Sequence, residues 1–302
     1  MNKWNLSLYP SQQGKVVIIT GSNSGIGFEA ALQLAKMNMT VILACKRLDA
    51  AGRAKNDILK SHPTAQVTPM KLDLSSLNAV RRFAEEFQNQ FNRLDLLINN
   101  AGIMMSPYKE TEDGFEDQLA SNFIGHFALT GLLMQLLLNT PDSRVITLSS
   151  LSYKWAPINF IDLHFKNLYN KKKAYGQSKR ACLVFAYELN RRLAATANST
   201  ISLAVHPGLC KTNLDRYFPA LIRPLGSLFL QSPKKGVLPV LYAALQKELK
   251  GGEYIGPDGF QEMRGNPTTV DSDKATKDRE IANRLWLLAE EMTGVHYTFI
   301  QV

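Results

Sequence analysis

Short runs of β-branched and aliphatic residues alternate with longer amphipathic segments along the first half of the chain. Segments such as VVIIT and TVILA are apolar almost throughout, which is typical of parallel strands covered by helices on both faces. The alternation of strand and helix predicts parallel βαβ units, and therefore an α/β fold with a doubly wound parallel sheet. The predicted strands are Lys15 to Thr20, Thr40 to Ala44, Gln66 to Lys71 and Leu94 to Ile98, with the first helix from about Ser24.

The same pattern continues in the second half of the chain, and no linker-like segment interrupts it. The pattern predicts a helix from Thr111 to Leu138, a strand from Arg144 to Ser149, a helix from about Lys173 to Ala197, a strand from Ser199 to His206 and a terminal helix from Ile281 to Thr293. Gly251 to Gly259 is a predicted turn-rich strand region. We therefore predict a single domain over residues 1–302, in which residues 207–233 form a loop over the active site.

Composition narrows the class of protein. The chain has 302 residues, of which 45% are hydrophobic and 20% charged, which excludes a disordered or fibrous protein. Its three cysteines, Cys45, Cys182 and Cys210, form no CxxC pair, so neither a disulfide framework nor a zinc site is predicted. This cysteine usage favours a reducing compartment, and we expect a cytoplasmic location.

The chain has 35 basic and 26 acidic residues, a net charge of +9 that favours anionic ligands. The basic residues are scattered and no nucleic-acid-reading motif is found, so no nucleic-acid partner is predicted. Met1 to Gln13 does not resemble a signal peptide. The longest apolar stretch, Phe127 to Leu138, is shorter than the roughly 20 residues of a bilayer span, so we expect no membrane span.

A glycine-rich turn follows the first predicted strand directly and precedes a helix. The turn consists of Thr20, Gly21, Ser22, Asn23, Ser24, Gly25, Ile26 and Gly27. Glycines allow backbone amides to approach a pyrophosphate, and the helix N-terminus adds partial positive charge. A dinucleotide site is predicted here, and a tight turn without a ligand is the alternative.

Lys46 and Arg47 end the second predicted strand, where doubly wound sheets recognise the adenosine ribose. No carboxylate is found at that strand end in the sequence, since Asp49 lies further into the next helix. Two cations favour the 2'-phosphate of NADP(H) over NAD(H), although a solvated pair at a helix start would give the same pattern. Asp73 and Leu74 follow the third strand and could face the adenine, or Asp73 could cap the next helix.

Tyr175 and Lys179 are four residues apart on a predicted helix, so their Cβ atoms should lie about 5 to 6 Å apart on one face. A free phenol has a pKa near 10, and a neighbouring ammonium favours the phenolate. We predict that Tyr175 is the general acid in carbonyl reduction and the general base in alcohol oxidation. Ser150, at the end of a parallel strand, would hydrogen-bond the developing alkoxide.

Three motifs occur in order along the chain: Thr20 to Gly27, then Asn99-Asn100-Ala101-Gly102, then Tyr175-Gly176-Gln177-Ser178-Lys179. Together they resemble the short-chain dehydrogenase/reductase family over nearly the whole chain. Ser149-Ser150 and His206-Pro207-Gly208 most resemble its retinol dehydrogenase branch. The resemblance implies a single-domain Rossmann-type fold and a nicotinamide-dependent oxidoreductase.

Further site residues are implied by this resemblance. It places the catalytic hydroxyl on Ser150 rather than Ser149, and it gives Asn122 the role of holding a water that relays protons to Lys179. A buried and satisfied asparagine is the alternative for Asn122. It also implies cofactor contacts from Asn100, Ala101 and Gly102 beside the adenosine ribose, and from Pro207, Gly208 and Thr212 at the nicotinamide.

The substrate is predicted to be a small carbonyl compound or alcohol. Tyr217 to Leu230 is strongly apolar, which favours a lipophilic aldehyde, ketone or retinoid-like alcohol, although packing or a dimer contact would explain it equally. A non-catalytic NADP(H) sensor or scaffold would be expected to lack Tyr175 or Lys179. An enzyme similar to protochlorophyllide reductase is disfavoured by the cysteine position in Arg180-Ala181-Cys182. By analogy with the family, a homodimer through the two long central helices is expected.

Overall fold

One sheet of eight strands, in the order β3-β2-β1-β4-β5-β6-β7-β8, forms the centre of a computed structural model that describes residues 4–196, 198–210 and 230–299. All neighbouring strands are parallel except β7 and β8, which are antiparallel. The strands are β1 (Val16–Thr20), β2 (Thr40–Cys45), β3 (Val67–Lys71), β4 (Leu96–Asn99), β5 (Arg144–Leu148), β6 (Ile201–Val205), β7 (Tyr254–Pro257) and β8 (Pro267–Val270).

Helices follow most strands and cover both faces of the sheet. They are α1 (Gly25–Lys36), α2 (Leu48–Ser61), α3 (Leu77–Gln90), α4 (Asp117–Leu119), a π-helical segment (Ala120–Ile124), α5 (Gly125–Leu132), α6 (Met134–Leu138), α7 (Lys171–Leu193), α8 (Pro233–Gly236), α9 (Leu238–Leu245) and α10 (Arg279–Thr293). Short 3₁₀ turns span Leu6–Leu8, Leu151–Trp155, Phe260–Glu262 and Lys274–Thr276. This arrangement confirms the predicted α/β fold with a doubly wound, mostly parallel sheet.

Two hydrophobic cores lie on opposite faces of the sheet because side chains alternate along each strand. Ile18 belongs to the core that contains Phe127 and Trp286, whereas Val17 and Ile19 belong to the other core. All five residues of β1 are buried, which explains why this strand is apolar without alternation.

The long predicted helix from Thr111 to Leu138 is shorter and interrupted in the structure. It begins at Asp117, because the Glu116 carboxylate caps it by accepting hydrogen bonds from the amides of Gln118 and Leu119. The helix then widens into the π-helical segment and breaks at Leu133. The prediction was wrong here because the apolar residues continue across these irregularities.

Other predicted boundaries differ from the observed ones by a few residues. Helix α7, predicted from about Lys173, begins at Lys171, because Asn170 accepts hydrogen bonds from two amides of its first turn. Strand β8 was not predicted, since it is a four-residue edge strand that begins with proline. Most of the predicted active-site loop, residues 211–229, lies outside the described residues.

The strand order reverses between β1 and β4, so the chain leaves these two strands in opposite directions. In a doubly wound sheet a crevice forms at this point, beyond the carboxyl ends of the strands. The glycine-rich turn follows β1, the Asn100 turn follows β4, and Ser150 follows β5. The topology therefore gathers the predicted site residues at one edge of the sheet.

Candidate active site

The glycine-rich turn fits a bound pyrophosphate. Gly21 has a φ of +65°, and a Cβ at this position would lie 2.9 Å from Ala101 Cα, so a larger residue would be both strained and crowded. Among the described residues, α1 has no side-chain cap from Ser24 and no acidic residue in its first turn. Its first amides are therefore left to bind an anion.

Thr20 joins the glycine-rich turn to the turn after β4. Its Oγ1 accepts hydrogen bonds from the amides of Asn100 and Ala101, both at 2.9 Å, and Asn100 Nδ2 donates to Thr20 O at 2.7 Å. A Cβ at Gly27 would lie 2.5 Å from Asn100 Nδ2. The two turns therefore form one rigid unit, on which Ser22 and Ile26 are buried and Asn23 is partly exposed.

The structure corrects the interpretation of the two cations after β2. Lys46 Nζ forms an ion pair with Asp73 at 2.8 Å. A carboxylate therefore lies beside the end of β2, and it comes from the segment that follows the neighbouring strand β3. Burial alone would raise the pKa of Asp73, but hydrogen bonds from Lys46 and Ser75 lower it overall. Within residues 4–196, 198–210 and 230–299, the exposed Arg47 side chain makes no hydrogen bond and no ion pair within 4 Å, although Arg53 and, to a smaller extent, Arg47 lower the pKa of Asp49.

Of the two predicted adenine contacts, Asp73 also forms a local turn, because its Oδ1 accepts from the amide and the hydroxyl of Ser75. The helix that follows is capped by Ser76 instead. Leu74 has its side chain in the hydrophobic core. Of Asp73 and Leu74, Asp73 is therefore the residue whose side chain lies near Lys46 at the end of β2.

Tyr175 is 4% exposed, and the Ser150 hydroxyl, which donates to Ser152 Oγ at 3.2 Å, lies close enough to its phenol to influence it. Burial raises the pKa of the Tyr175 phenol, and the Ser150 hydroxyl acts in the opposite direction. We expected the Lys179 ammonium to favour the phenolate, but in the structure burial outweighs the influences that lower this pKa. Tyr175 is therefore protonated at pH 7 in the protein on its own.

Lys179 is buried with Tyr175 on α7. Its Nζ donates to Leu148 O at 3.0 Å, and burial lowers its pKa. A Cβ at Gly102 would lie 3.4 Å from this Nζ and 3.0 Å from Asn122 Oδ1, so the absence of a side chain at Gly102 keeps the space before both groups open. Ser149 donates to the Lys179 carbonyl instead of facing Tyr175, which distinguishes the two adjacent serines.

Asn122 lies in the π-helical segment, a feature that often accompanies functional sites. Its Oδ1 accepts from the Ile103 amide at 2.8 Å, and its Nδ2 donates to Ile103 O at 3.0 Å and to Ser178 Oγ at 2.8 Å. The side chain is therefore fully used to connect the segment after Gly102 to α7. Asn122 stands next to Lys179, as the predicted constellation requires.

The predicted nicotinamide contacts Pro207 and Gly208 follow β6 at the same edge. Gly208 has a φ of +68° and lies against the Met263 carbonyl, and Gln231 Nε2 donates to Pro207 O at 2.6 Å. His206 Nε2 lies 3.0 Å from Glu262 Oε2, and this contact lowers the pKa of the Glu262 carboxyl. Thr212 lies outside the described residues.

Sequence reasoning missed several residues that hold this site together. Glu262 and Gln231 anchor the Pro207 turn from distant parts of the chain, and no local spacing indicates them. Arg180 donates to the carbonyls of Tyr153 and Ala156 and pairs with Asp273, which fixes the segment after Ser150 on α7. His126 was also missed, although the sequence could have indicated it, because it lies four residues after Asn122 and therefore on the same helix face.

Comparison with known proteins agrees with this geometry. The family model described as short chain dehydrogenase matches residues 15–220. The chain belongs to the short-chain dehydrogenase family.

Particular relatives cover most of the chain. Retinol dehydrogenase 14 of Homo sapiens is 38% identical over 303 residues, which cover 93% of this chain and 87% of that protein. Polyprenol dehydrogenase of Mus musculus is 36% identical over 295 residues, which cover 94% of this chain and 85% of that protein.

Solved structures share the fold. An uncharacterized protein from Mycobacterium paratuberculosis has a TM-score of 0.81 and 36% identity, with 98% of this chain and 100% of that chain covered. The Pseudomonas aeruginosa RhlG/NADP active-site complex has a TM-score of 0.66 at 21% identity, with 81% and 94% covered, which shows the fold alone. Within the described ranges, every helix is too short or too polar to cross a bilayer.

Proposed function

We propose that this oxidoreductase transfers hydride between NADP(H) and the carbon of a carbonyl compound or alcohol, with Tyr175 as general acid and base. The observation that carries the proposal is the burial of Tyr175 and Lys179 on one helix, with the Ser150 hydroxyl near the phenol, at the crevice beside the glycine-rich turn. These groups are within reach of one substrate oxygen.

The protein residues divide the work at that oxygen. In reduction, Ser150 donates a hydrogen bond to the carbonyl oxygen and Tyr175 transfers its proton to the same oxygen as negative charge develops. A nicotinamide held by the glycine-rich turn and the Pro207 turn would supply the hydride, or accept it in the reverse direction. Lys179 then stabilises the phenolate, and Asn122, whose side chain is bonded to Ile103 and Ser178, holds the segment after Gly102 beside it.

The choice of NADP(H) rests on Arg47. Lys46 is neutralised by Asp73, whereas Arg47 is exposed at the same strand end and can pair with a 2'-phosphate. The Asp73 carboxylate, which would accept hydrogen bonds from a free 2'-hydroxyl, already forms an ion pair with Lys46. NADP in the RhlG complex is a property of that protein and agrees with this choice.

The substrate we propose is a lipophilic alcohol or aldehyde. The Trp155 ring lies 6.0 Å from the Tyr175 ring and is 38% exposed, so an apolar surface borders the reacting group. Ile161 and Leu168, in the segment between Trp155 and α7, are also exposed. The names of the relatives, retinol dehydrogenase and polyprenol dehydrogenase, refer to alcohols of this class.

A substrate screen tests the proposal. Purified protein is mixed with NADPH or NADH and with retinal, long-chain aldehydes or short polar aldehydes, and the absorbance of the reduced nicotinamide is followed. We expect turnover with NADPH and the lipophilic carbonyls, with kcat/KM at least about tenfold above that for the short polar ones. Binding of NADPH without turnover of any member would contradict the catalytic role and favour a cofactor-binding sensor.

A further inference from the structure

The buried His126 side chain contacts both Thr20, at the start of the glycine-rich turn, and Asn122. His126 is 2% exposed and lies about one helical turn after Asn122. Its Nε2 lies 2.8 Å from Thr20 Oγ1, and its Nδ1 lies 2.9 Å from Asn122 O. The imidazole therefore bridges the end of β1 and the π-helical segment.

Counting donors and acceptors assigns the imidazole tautomer. The Asn122 carbonyl can only accept, so Nδ1 must carry a proton. The Thr20 hydroxyl already accepts from the amides of Asn100 and Ala101, which uses both of its lone pairs. Thr20 must then donate its single hydrogen to Nε2, since its other acceptor, Ile98 O, is further away at 3.4 Å. Nε2 is therefore unprotonated and the ring is neutral.

The surroundings of His126 agree with a neutral ring. Burial lowers its pKa to about 4, and the Lys179 charge acts in the same direction against the hydrogen bond to Asn122. A proton on Nε2 would face a Thr20 oxygen without a free lone pair. Protonation would thus break the connection between the two turns and the π-helical segment.

We propose that His126 is a positioning residue that, as the neutral Nδ1-protonated tautomer, couples the cofactor-binding turns to Asn122. Through Nε2 it orients the Thr20 hydroxyl that holds Asn100 and Ala101. Through Nδ1 it holds the carbonyl of Asn122, whose side chain spans from Ile103 to α7. Each of its two hydrogen bonds serves a different part of the site.

The role proposed for His126 rests on the proposed function, but its first test does not depend on activity. Two-bond ¹⁵N–¹H correlation spectra of the full ¹⁵N-labelled protein at pH 7 distinguish the two neutral tautomers and the imidazolium. We expect one histidine to be Nδ1-protonated and its signals to be absent in the His126 variants. An Nε2-protonated or charged His126 would overturn this proposal, while loss of turnover in the screen above would overturn only the proposed function.

Two substitutions separate the two hydrogen bonds. His126→Asn places an amide nitrogen near the Nδ1 position and loses the acceptor for Thr20, whereas His126→Gln can place an oxygen near Nε2 and loses the donor to Asn122. We expect His126→Asn to raise the Kd of NADPH about tenfold with kcat nearly retained, the change that one net hydrogen bond is worth. We expect His126→Gln to lower kcat about tenfold with the Kd nearly retained.

The control is His296→Asn, because His296 is exposed and far along the chain from the site. It should change neither constant. If the two His126 variants changed Kd and kcat to the same extent, or left both unchanged, His126 would have a merely structural role and the proposal would be wrong. If neither variant folds, the ring signals are assigned to His126 in the wild-type protein by correlation with its own backbone, and a tautomer other than the Nδ1-protonated one overturns the proposal.

Discussion

Tyr175 and Ser150 show how single side chains acquire their chemistry from their surroundings. Burial of the phenol raises its pKa, so the neutral form dominates in the protein on its own. Spacing along the helix was sufficient to predict that Tyr175 and Lys179 share a face. The strength of the burial effect could not be predicted, because it comes from residues such as Trp155 that precede the helix.

The sequence could not separate Lys46 from Arg47, since the two cations are adjacent and their spacing carries no information about partners. Asp73 is remote along the chain, and only the pairing of β2 with β3 brings it to Lys46. His126 and Glu262 were missed for the same reason. Their partners Thr20 and His206 are determined by the tertiary fold.

Arg47→Ala tests the choice of cofactor. Removal of the exposed guanidinium should raise the Kd of NADPH about tenfold or more, the change expected for loss of a charge-assisted phosphate contact, and should leave the Kd of NADH nearly unchanged. Titration of the purified variant by intrinsic fluorescence measures both constants. The control is Arg53→Ala, because Arg53 lies on the same helix and pairs with Asp49. Equal weakening of NADPH by both variants would contradict the assignment.

At the level of elements, buried polar groups hold the π-helical segment against helix α7. The Arg180 side chain points into the protein. It donates to the Tyr153 carbonyl in the 3₁₀ turn after Ser150, and to Asp273, which lies in the segment before α10. The strand and helix pattern predicted these elements because their apolar periodicity is strong. The break at Ala120–Ile124 was not predicted, because a π-bulge leaves the apolar residues continuous.

Asp273→Ala should destabilise the protein by leaving the guanidinium of Arg180 without its charged partner. Both Arg180 terminal nitrogens donate to Asp273, at 2.9 and 2.8 Å. We expect the free energy of unfolding to fall by about 2 kcal/mol, less than for a fully buried pair because the Asp273 side chain is 40% exposed. Urea denaturation measures this change.

Asp271→Ala is the matched control, since Asp271 lies two residues earlier and pairs with Lys277 at the surface. It should leave the unfolding free energy almost unchanged. A similar loss in both variants would show that Arg180 does not depend on its bidentate partner.

For the whole molecule, the arrangement of β1 to β6 could be predicted, because parallel strands with intervening helices admit few topologies. The antiparallel edge formed by β8 could not, because its short sequence lacks a strand signal. The homodimer and the cytoplasmic location stay predictions. Buried histidines whose pKa is lowered in the folded protein also affect the stability of the whole fold.

Stability should therefore depend on pH. The pKa of His126 is lowered from 6.5 to about 4 in the folded protein, so below pH 6.5 the unfolded chain binds a proton that the folded protein does not. Stability from the neutral ring is complete above the unfolded pKa and is lost as the pH falls toward the folded pKa. Between pH 7.5 and 5, we expect His126 alone to reduce the free energy of unfolding by about 2 kcal/mol.

Urea denaturation at the two pH values measures this loss, and burial lowers the pKa of His206 so that it adds to the loss in the same direction. His126→Asn should reduce the pH dependence by the amount assigned to His126. His296→Asn should keep it, because that side chain is 77% exposed. An equal pH dependence in the wild type and in His126→Asn would show that folding does not shift the pKa of His126, which contradicts a buried neutral ring.

Tyr175→Phe tests the central claim most directly. With a carbonyl compound that the wild type reduces, we expect kcat to fall by about 10² to 10⁴-fold, the usual contribution of a general acid, while the Kd of NADPH stays within about threefold. Tyr187→Phe, which removes a partly buried hydroxyl from the same helix, should keep kcat near that of the wild type. If Tyr175→Phe retained more than about a tenth of the wild-type turnover, Tyr175 would not be the acid and base of the reaction.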